Sequence, residues 1–155
     1  MLSVVLTIPE AVRLVKGAGV EPEGALEVSG KVDARATPHY PMLAMHEGQM
    51  RDYFIVLRHR GQDCIFLGED YKCSIYSHRP HVCRLYPFDL QGAEVKKGAL
   101  CPVPFQKERE MKDVALQLRE DLHEHGKIAR KWNATHKEAP TIGALFGFFR
   151  QEGLL

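Results

Sequence analysis

Four cysteines in the middle third of a 155-residue chain constrain this sequence more than any other feature. Cys64, Cys73, Cys83 and Cys101 are separated by short segments that contain proline or glycine. Four thiolates are the number that one closed zinc site or one iron–sulfur cluster requires. Two other uses stay open, because free cysteine is often a buried core residue and closely placed pairs form disulfides.

The composition and the N-terminal residues indicate the cellular compartment of the protein. The first residues carry no basic segment or small-residue cleavage site, and the apolar runs are far shorter than the roughly 20 residues of a membrane helix. We therefore expect a cytoplasmic protein with no membrane partner, in a reducing compartment that disfavours disulfides. A net charge of +1 also argues against binding to nucleic acid.

The pattern of apolar residues predicts one domain with an α+β fold. A strand over Leu2–Leu6 leads into a helix that Thr7 caps, with Glu10 completing a capping box and glycines ending it. Another strand is predicted over Tyr53–Leu57, and a short helix over Pro22–Ser29. We expect a small antiparallel sheet, with a cysteine metal clamp beside it, covered by N-terminal and C-terminal helices.

The chain after the last cysteine has a different composition. From about Phe105 to Trp132, apolar residues recur at helical spacing and proline is absent. A last short helix is predicted over Thr141–Arg150. We therefore divide the sequence into a cysteine-cluster domain, residues 1–104, and a C-terminal helical extension, residues 105–155, packed on it as one compact unit.

A hairpin is predicted to bring the first two cysteines together. A two-residue turn at Gly68-Glu69 would place Cys64 directly opposite Cys73, with Cβ atoms about 4.5–5.5 Å apart. Two thiolates on one metal ion sit comparably close together. The prediction depends on the turn, because a longer loop would shift the register.

The sequence motifs around the cysteines resemble those of a known family. The strings Cys64-Ile-Phe-Leu, Cys73-Ser-Ile-Tyr and Arg79-Pro-His-Val-Cys-Arg-Leu-Tyr-Pro-Phe are similar to those of the YkgJ-like cysteine-cluster family, described as a zinc- or iron-chelating domain. The resemblance covers about Leu2 to Cys101. It implies that the four cysteines ligate a zinc ion or an iron–sulfur cluster.

The sequence departs from that family at its start. Members carry a C-x-x-C-x-x-C-C cluster upstream of an L-T-x-x-[DE] motif, which Leu6-Thr7-Ile8-Pro9-Glu10 matches here, and the upstream cluster is missing. We expect the sequence to begin at an internal methionine, which the mass of the protein from its native source would test. Without that cluster, the metal content implied by the family would be reduced or absent.

Several neighbours of the cysteines are candidates for supporting roles. Arg79 and Arg84 bracket Cys83 and would stabilise thiolate charge, or they are surface arginines paired with nearby carboxylates. Tyr86, with Tyr76 and Phe88, is predicted to be core or an apolar surround of the centre.

The histidines are weaker candidates for ligands. His78 and His81 flank Cys83 and could replace a cysteine, although lone histidines are commonly structural. His123 and His125, two residues apart on one helix, do not share a face and make a poor chelating pair.

Three functions fit these features. The first is a metal-binding protein with a structural or storage site. The second is an iron–sulfur redox or methyl-transfer enzyme component. Methyl transfer is inferred by analogy with a flagellin lysine methylase that resembles the family in its cysteine-rich region. This sequence has no glycine-rich nucleotide-binding loop to support methyl transfer. The third is a protein-interaction module with structural cysteines. No substrate, nucleophile–base pair or catalytic motif is evident, so enzymatic activity stays open.

Overall fold

The computed structural model describes residues 3–32, 43–46, 50–86 and 108–155, and within them short strands alternate with helices. The strands are β1 (Val5–Leu6), β2 (Leu26–Ser29), β3 (Leu43–His46), β4 (Met50–Leu57), β5 (His59–Arg60) and β6 (Asp63–Cys64). The helices are α1 (Ile8–Ala18), α2 (Pro22–Ala25), α3 (His81–Leu85), α4 (Glu108–Thr135) and α5 (Ile142–Gln151). The predicted α+β class is confirmed.

Strand β4 organises the sheet, because three other strands pair with it in antiparallel register. Its second half lies between β1 and β2, with Val56 opposite both Val5 and Glu27. Its first half pairs with β3. Strands β5 and β6 form a separate two-stranded ladder that opens the cysteine region.

Both faces of the second half of β4, residues 54–57, are buried, and successive side chains alternate between the two faces. Ile55 and Leu57 belong to a core shared with α1, α5 and the C-terminal half of α4. Phe54 and Val56 point to the opposite face and pack with the N-terminal half of α4 and with Leu85 of α3. The long helix therefore contributes to the cores on both sides of the sheet.

Helix α1 begins and ends as its sequence predicts. The Thr7 side chain accepts a hydrogen bond from the Glu10 N–H while the Glu10 carboxylate accepts from the Thr7 N–H, so the capping box is complete. Gly19 ends the helix with φ 62°, a left-handed conformation that glycine adopts without strain.

The boundaries of several other helices and strands differ from those predicted. The helix predicted over Pro22–Ser29 stops at Ala25, because Leu26–Ser29 instead form β2 and pair with the edge of β4. The predicted strand Tyr53–Leu57 begins earlier, at Met50. The long C-terminal helix and the last short helix are both present, the former within residues 108–135 and the latter ending one residue later than predicted.

The predicted hairpin register is wrong. Cys64 lies opposite His59 in the β5–β6 ladder, and Cys73 bridges to Leu67. The connection is a five-residue loop, residues 68–72, closed by a 2.8 Å hydrogen bond from the Gly68 N–H to the Lys72 carbonyl. Tyr71 takes φ 60° within it. The longer loop shifts the register, so Cys64 and Cys73 are not directly opposed.

Within the described part of the chain, no helix combines the length and the apolar character required to cross a lipid bilayer.

Candidate metal centre

Cys64 ends β6 and sits at the start of a tight turn. The Leu67 N–H donates to the Cys64 carbonyl at 2.9 Å, and the Phe66 N–H donates to the Cys64 sulfur. Phe66 is itself buried in the main core, which fixes the position of this donor. A backbone N–H aimed at sulfur favours the thiolate, the form that binds metal.

Cys73 follows the five-residue loop. After the loop, antiparallel pairing of the two segments resumes: the Ser74 N–H donates to the Phe66 carbonyl at 2.9 Å. A side chain at Gly68 would meet Asp70 Oδ1 at 2.8 Å, and that same carboxylate accepts from the Lys72 N–H at 3.1 Å. The absence of a side chain at Gly68 thus allows the loop that leads into Cys73.

Cys83 comes from a third segment, the short helix α3. Its N–H donates to the Pro80 carbonyl at 3.0 Å, and Pro80 precedes the helix in an extended conformation. Leu85, two residues on, is buried in the core beneath α4 and holds α3 against it.

The three thiols lie close enough to influence one another. The pKa of Cys83 is raised to about 12, chiefly by burial and then by the charges of Cys64 and Cys73, against the lowering effect of Arg79. Burial also raises the pKa of Cys64, against the effect of the Phe66 N–H, and Cys73 adds to that rise. All three are free and partly buried. Without a metal, Cys64 and Cys83 are therefore neutral thiols at pH 7.

The three neighbouring thiols do not by themselves form a coordination shell. Across residues 3–32, 43–46, 50–86 and 108–155, no three Cys, His, Asp or Glu side chains are arranged so that they could hold a metal ion. The fourth predicted ligand, Cys101, lies outside the described residues, as does Phe88.

The buried carboxylate of Glu10 connects α1 to the segment that carries Cys83. Glu10 Oε1 accepts from the His81 N–H at 2.7 Å, and Oε2 accepts from the Thr7 N–H and hydroxyl at 2.8 and 2.9 Å. Three donors satisfy this carboxylate, which is 4% exposed. One side chain thus completes the capping box of α1 and caps the start of α3.

A second, partly buried network ties the same region to α4. His81 Nε2 lies 2.9 Å from Asp121 Oδ2, and Arg13 holds both oxygens of Asp121 in a bidentate ion pair. Burial raises the pKa of Asp121, but the hydrogen bonds and charges of His81 and Arg13 outweigh it, so the pKa lies below 3.8. One turn along, His125 Nδ1 accepts from the Ile8 N–H at 2.9 Å and satisfies a free donor of α1.

Asp121 was not among the predicted residues, and His125 was predicted only to be a poor ligand. The sequence nevertheless contains a signal for both. His125 falls on the apolar face of α4, between Leu122 and Ala129, where a polar residue requires a partner. Asp121 lies four residues earlier and therefore on the same side of the helix.

The arginines predicted near Cys83 occupy different environments. Arg79 lies over the ring of Tyr76, 3.7 Å from its centroid, and its Nε donates to the Tyr76 carbonyl. Arg84 Nη1 reaches Gln117 Oε1 of α4 at 3.4 Å. Among the described residues, neither arginine is paired with a carboxylate. The surface ion pairs considered as an alternative are thus not formed there.

The aromatic residues around Cys83 are less buried than predicted. Tyr76 is 60% exposed and Tyr86 is 44% exposed, so neither is a core residue. The apolar surround of the thiols comes instead from Phe66 and Ile75, which are buried in the main core that Cys64 and Cys73 pack against. His78 is exposed, with its ring against Gly17 of α1.

Comparison with known proteins identifies the family. A family model named CxxCxxCC, with the description "Putative zinc- or iron-chelating domain", matches residues 27–125, well over half of the chain. The match includes all four cysteines and the first part of α4. No curated protein and no solved structure matches the chain. The chain therefore belongs to the CxxCxxCC family of zinc- or iron-chelating domains.

Proposed function

We propose that this protein binds one zinc ion or one iron–sulfur cluster through Cys64, Cys73, Cys83 and Cys101. The observation that carries the proposal is the proximity of three free thiols from three separate segments: the charge of Cys73 raises the pKa of Cys64, and the charges of both raise the pKa of Cys83. Partial burial of these thiols would be unfavourable once they ionise, and a bound cation removes that cost.

The donor set fits both kinds of centre. Thiolates are the preferred ligands of structural zinc and of iron–sulfur clusters alike. The Phe66 N–H aimed at Cys64 and the positive charge of Arg79 near Cys83 would stabilise ligand charge in either case. Because the described thiols do not yet converge on one point, we expect metal binding to draw the three segments together and to recruit Cys101.

A closed site of four thiolates contributes folding free energy and leaves no open coordination position for chemistry. We therefore favour a structural or metal-handling role in the cytoplasm over catalysis. An iron–sulfur redox or methyl-transfer component remains the second candidate, supported by the same thiols and their apolar surround of Phe66 and Ile75.

Metal analysis of the full chain, purified anaerobically from its native host, tests the proposal. One zinc per chain and a colourless protein support the zinc site, whereas iron with sulfide and a brown colour support the cluster. Replacing any one of the four cysteines with serine should lower the metal content at least about tenfold. Gln62→Ser, at an exposed position two residues before Cys64, is the matched control. Full metal content in Cys64→Ser and Cys83→Ser would refute the proposal.

A further inference from the structure

A second site is suggested by a cavity whose lining includes none of the cysteines. It has a volume of about 150 Å³ and lies between α1 and the segment 77–84. Pockets for drug-sized ligands are larger, about 300–1,000 Å³, so this one suits a single small group. Its polar lining includes Arg13, Arg79, Arg84, Ser77, His78 and His81.

The cavity carries excess positive charge. Arg13 is neutralised by Asp121, and the Glu10 carboxylate, which also lines the cavity, is saturated by its three hydrogen bonds. Arg79 and Arg84 keep their charges, because no described carboxylate pairs with either. Two guanidinium charges thus outnumber the one carboxylate that is not in an ion pair. Guanidinium groups bind oxyanions through two parallel N–H donors.

The buried histidine of the lining does not contribute to this charge balance. His81 is 5% exposed, its Nε2 lies 2.9 Å from Asp121 Oδ2, and its N–H donates to Glu10. Its Nδ1 is buried away from the water-accessible space of the cavity. The groups that the cavity offers to a ligand are therefore its arginines and the Ser77 hydroxyl.

We propose that this cavity binds a phosphate group, held by Arg79 and Arg84. Phosphate at neutral pH carries close to two negative charges, which match the two guanidinium groups, and its oxygens accept from these groups and from the Ser77 hydroxyl. A carboxylate carries a single negative charge and matches the cavity less well. The inference does not depend on the proposed metal centre.

Calorimetric titration of the full chain with inorganic phosphate at low ionic strength tests this proposal. We expect saturable binding that is weakened at least about tenfold in Arg84→Gln, an exposed residue whose loss should spare the fold. Arg150→Gln, on the exposed end of α5, is the matched control and should bind like the parent. Arg84→Lys, which keeps the charge but loses the planar fork, should fall between them. Phenyl phosphate in a parallel arm distinguishes a phosphate ester from the free ion.

Several results would overturn the assignment. Unchanged phosphate affinity in Arg84→Gln would remove the site, and an equal loss in Arg150→Gln would reduce it to general charge attraction. Acetate binding as tightly as phosphate would reject the phosphate class. Phosphate binding that is lost in Cys83→Ser but kept in Arg84→Gln would assign the anion to a metal ion instead of this cavity.

Discussion

The carboxylate of Glu10 and the backbone N–H of His81 form a 2.7 Å hydrogen bond between residues 71 positions apart in the chain. The L-T-x-x-E motif at the start of α1 and the R-P-x-x-C segment that carries Cys83 are therefore in direct contact. The position of Cys83 depends on a side chain that, judged by sequence alone, serves only to begin a helix.

Replacing Glu10 with glutamine should destabilise the protein by about 1–3 kcal/mol, because the amide cannot accept from all three donors that the carboxylate now satisfies. Urea unfolding measures the change. We also expect reduced metal content, since α3 loses its cap. Glu27→Gln, exposed on β2, is the control and should be nearly neutral. Equal stabilities of the two variants would argue against the role of Glu10.

Removing the Asp121 carboxylate should have an effect that depends on pH. Because its folded pKa lies below the ordinary 3.8, the ion pair contributes stability that is present above pH 3.8 and lost as pH falls through the folded value. Asp121→Asn should therefore cost about 1.5–3 kcal/mol at pH 7 and less at pH 3.

The measurement for Asp121 is the unfolding free energy of parent and variant at both pH values. Asp113→Asn, on an exposed position of the same helix, provides the comparison. A gap between parent and Asp121→Asn that stays constant from pH 7 to pH 3 would contradict the charged pair with Arg13.

Metal affinity should rise steeply with pH. Cys83 has a pKa raised to about 12 and Cys64 also has a raised pKa, so both must lose a proton when they ligate a metal at pH 7. Release of at least these two protons predicts an affinity gain of at least about 100-fold per pH unit between pH 6.5 and 8. Competition with a chelator of known pH dependence measures the slope. A slope of less than one proton per metal would count against ligation by these two thiols.

Replacing Gly68 with alanine should disturb the loop before Cys73. The added methyl group would displace Asp70 Oδ1, 2.8 Å away, and break its hydrogen bond to the Lys72 N–H. We expect a cost of about 1–2 kcal/mol in stability and a lower metal content. Gly24→Ala, in helix α2, meets only the Glu21 Cβ at 3.9 Å and should be neutral or stabilising. Indistinguishable metal contents would show that the loop does not control Cys73.

The sequence by itself determined those features that depend on neighbouring residues. The capping box of Thr7 and Glu10, the glycine that ends α1, the long amphipathic helix and the α+β class all follow from local rules that need no knowledge of distant contacts. The motifs around the cysteines were also sufficient to indicate the family, which the comparison with known proteins then showed.

Tertiary structure decided what depends on residues far apart in the chain. The strand register predicted for the cysteine segment was wrong. Hydrogen bonds within residues 68–72 favour a five-residue loop, whereas the dipeptide Gly68-Glu69 indicated a two-residue turn. The contacts of Glu10 with His81 and of Arg13 with Asp121 arise only when α1, α3 and α4 pack together. Local pattern specifies which residues form an element, whereas the partners of a buried charge are set by the packing that removes water from around it.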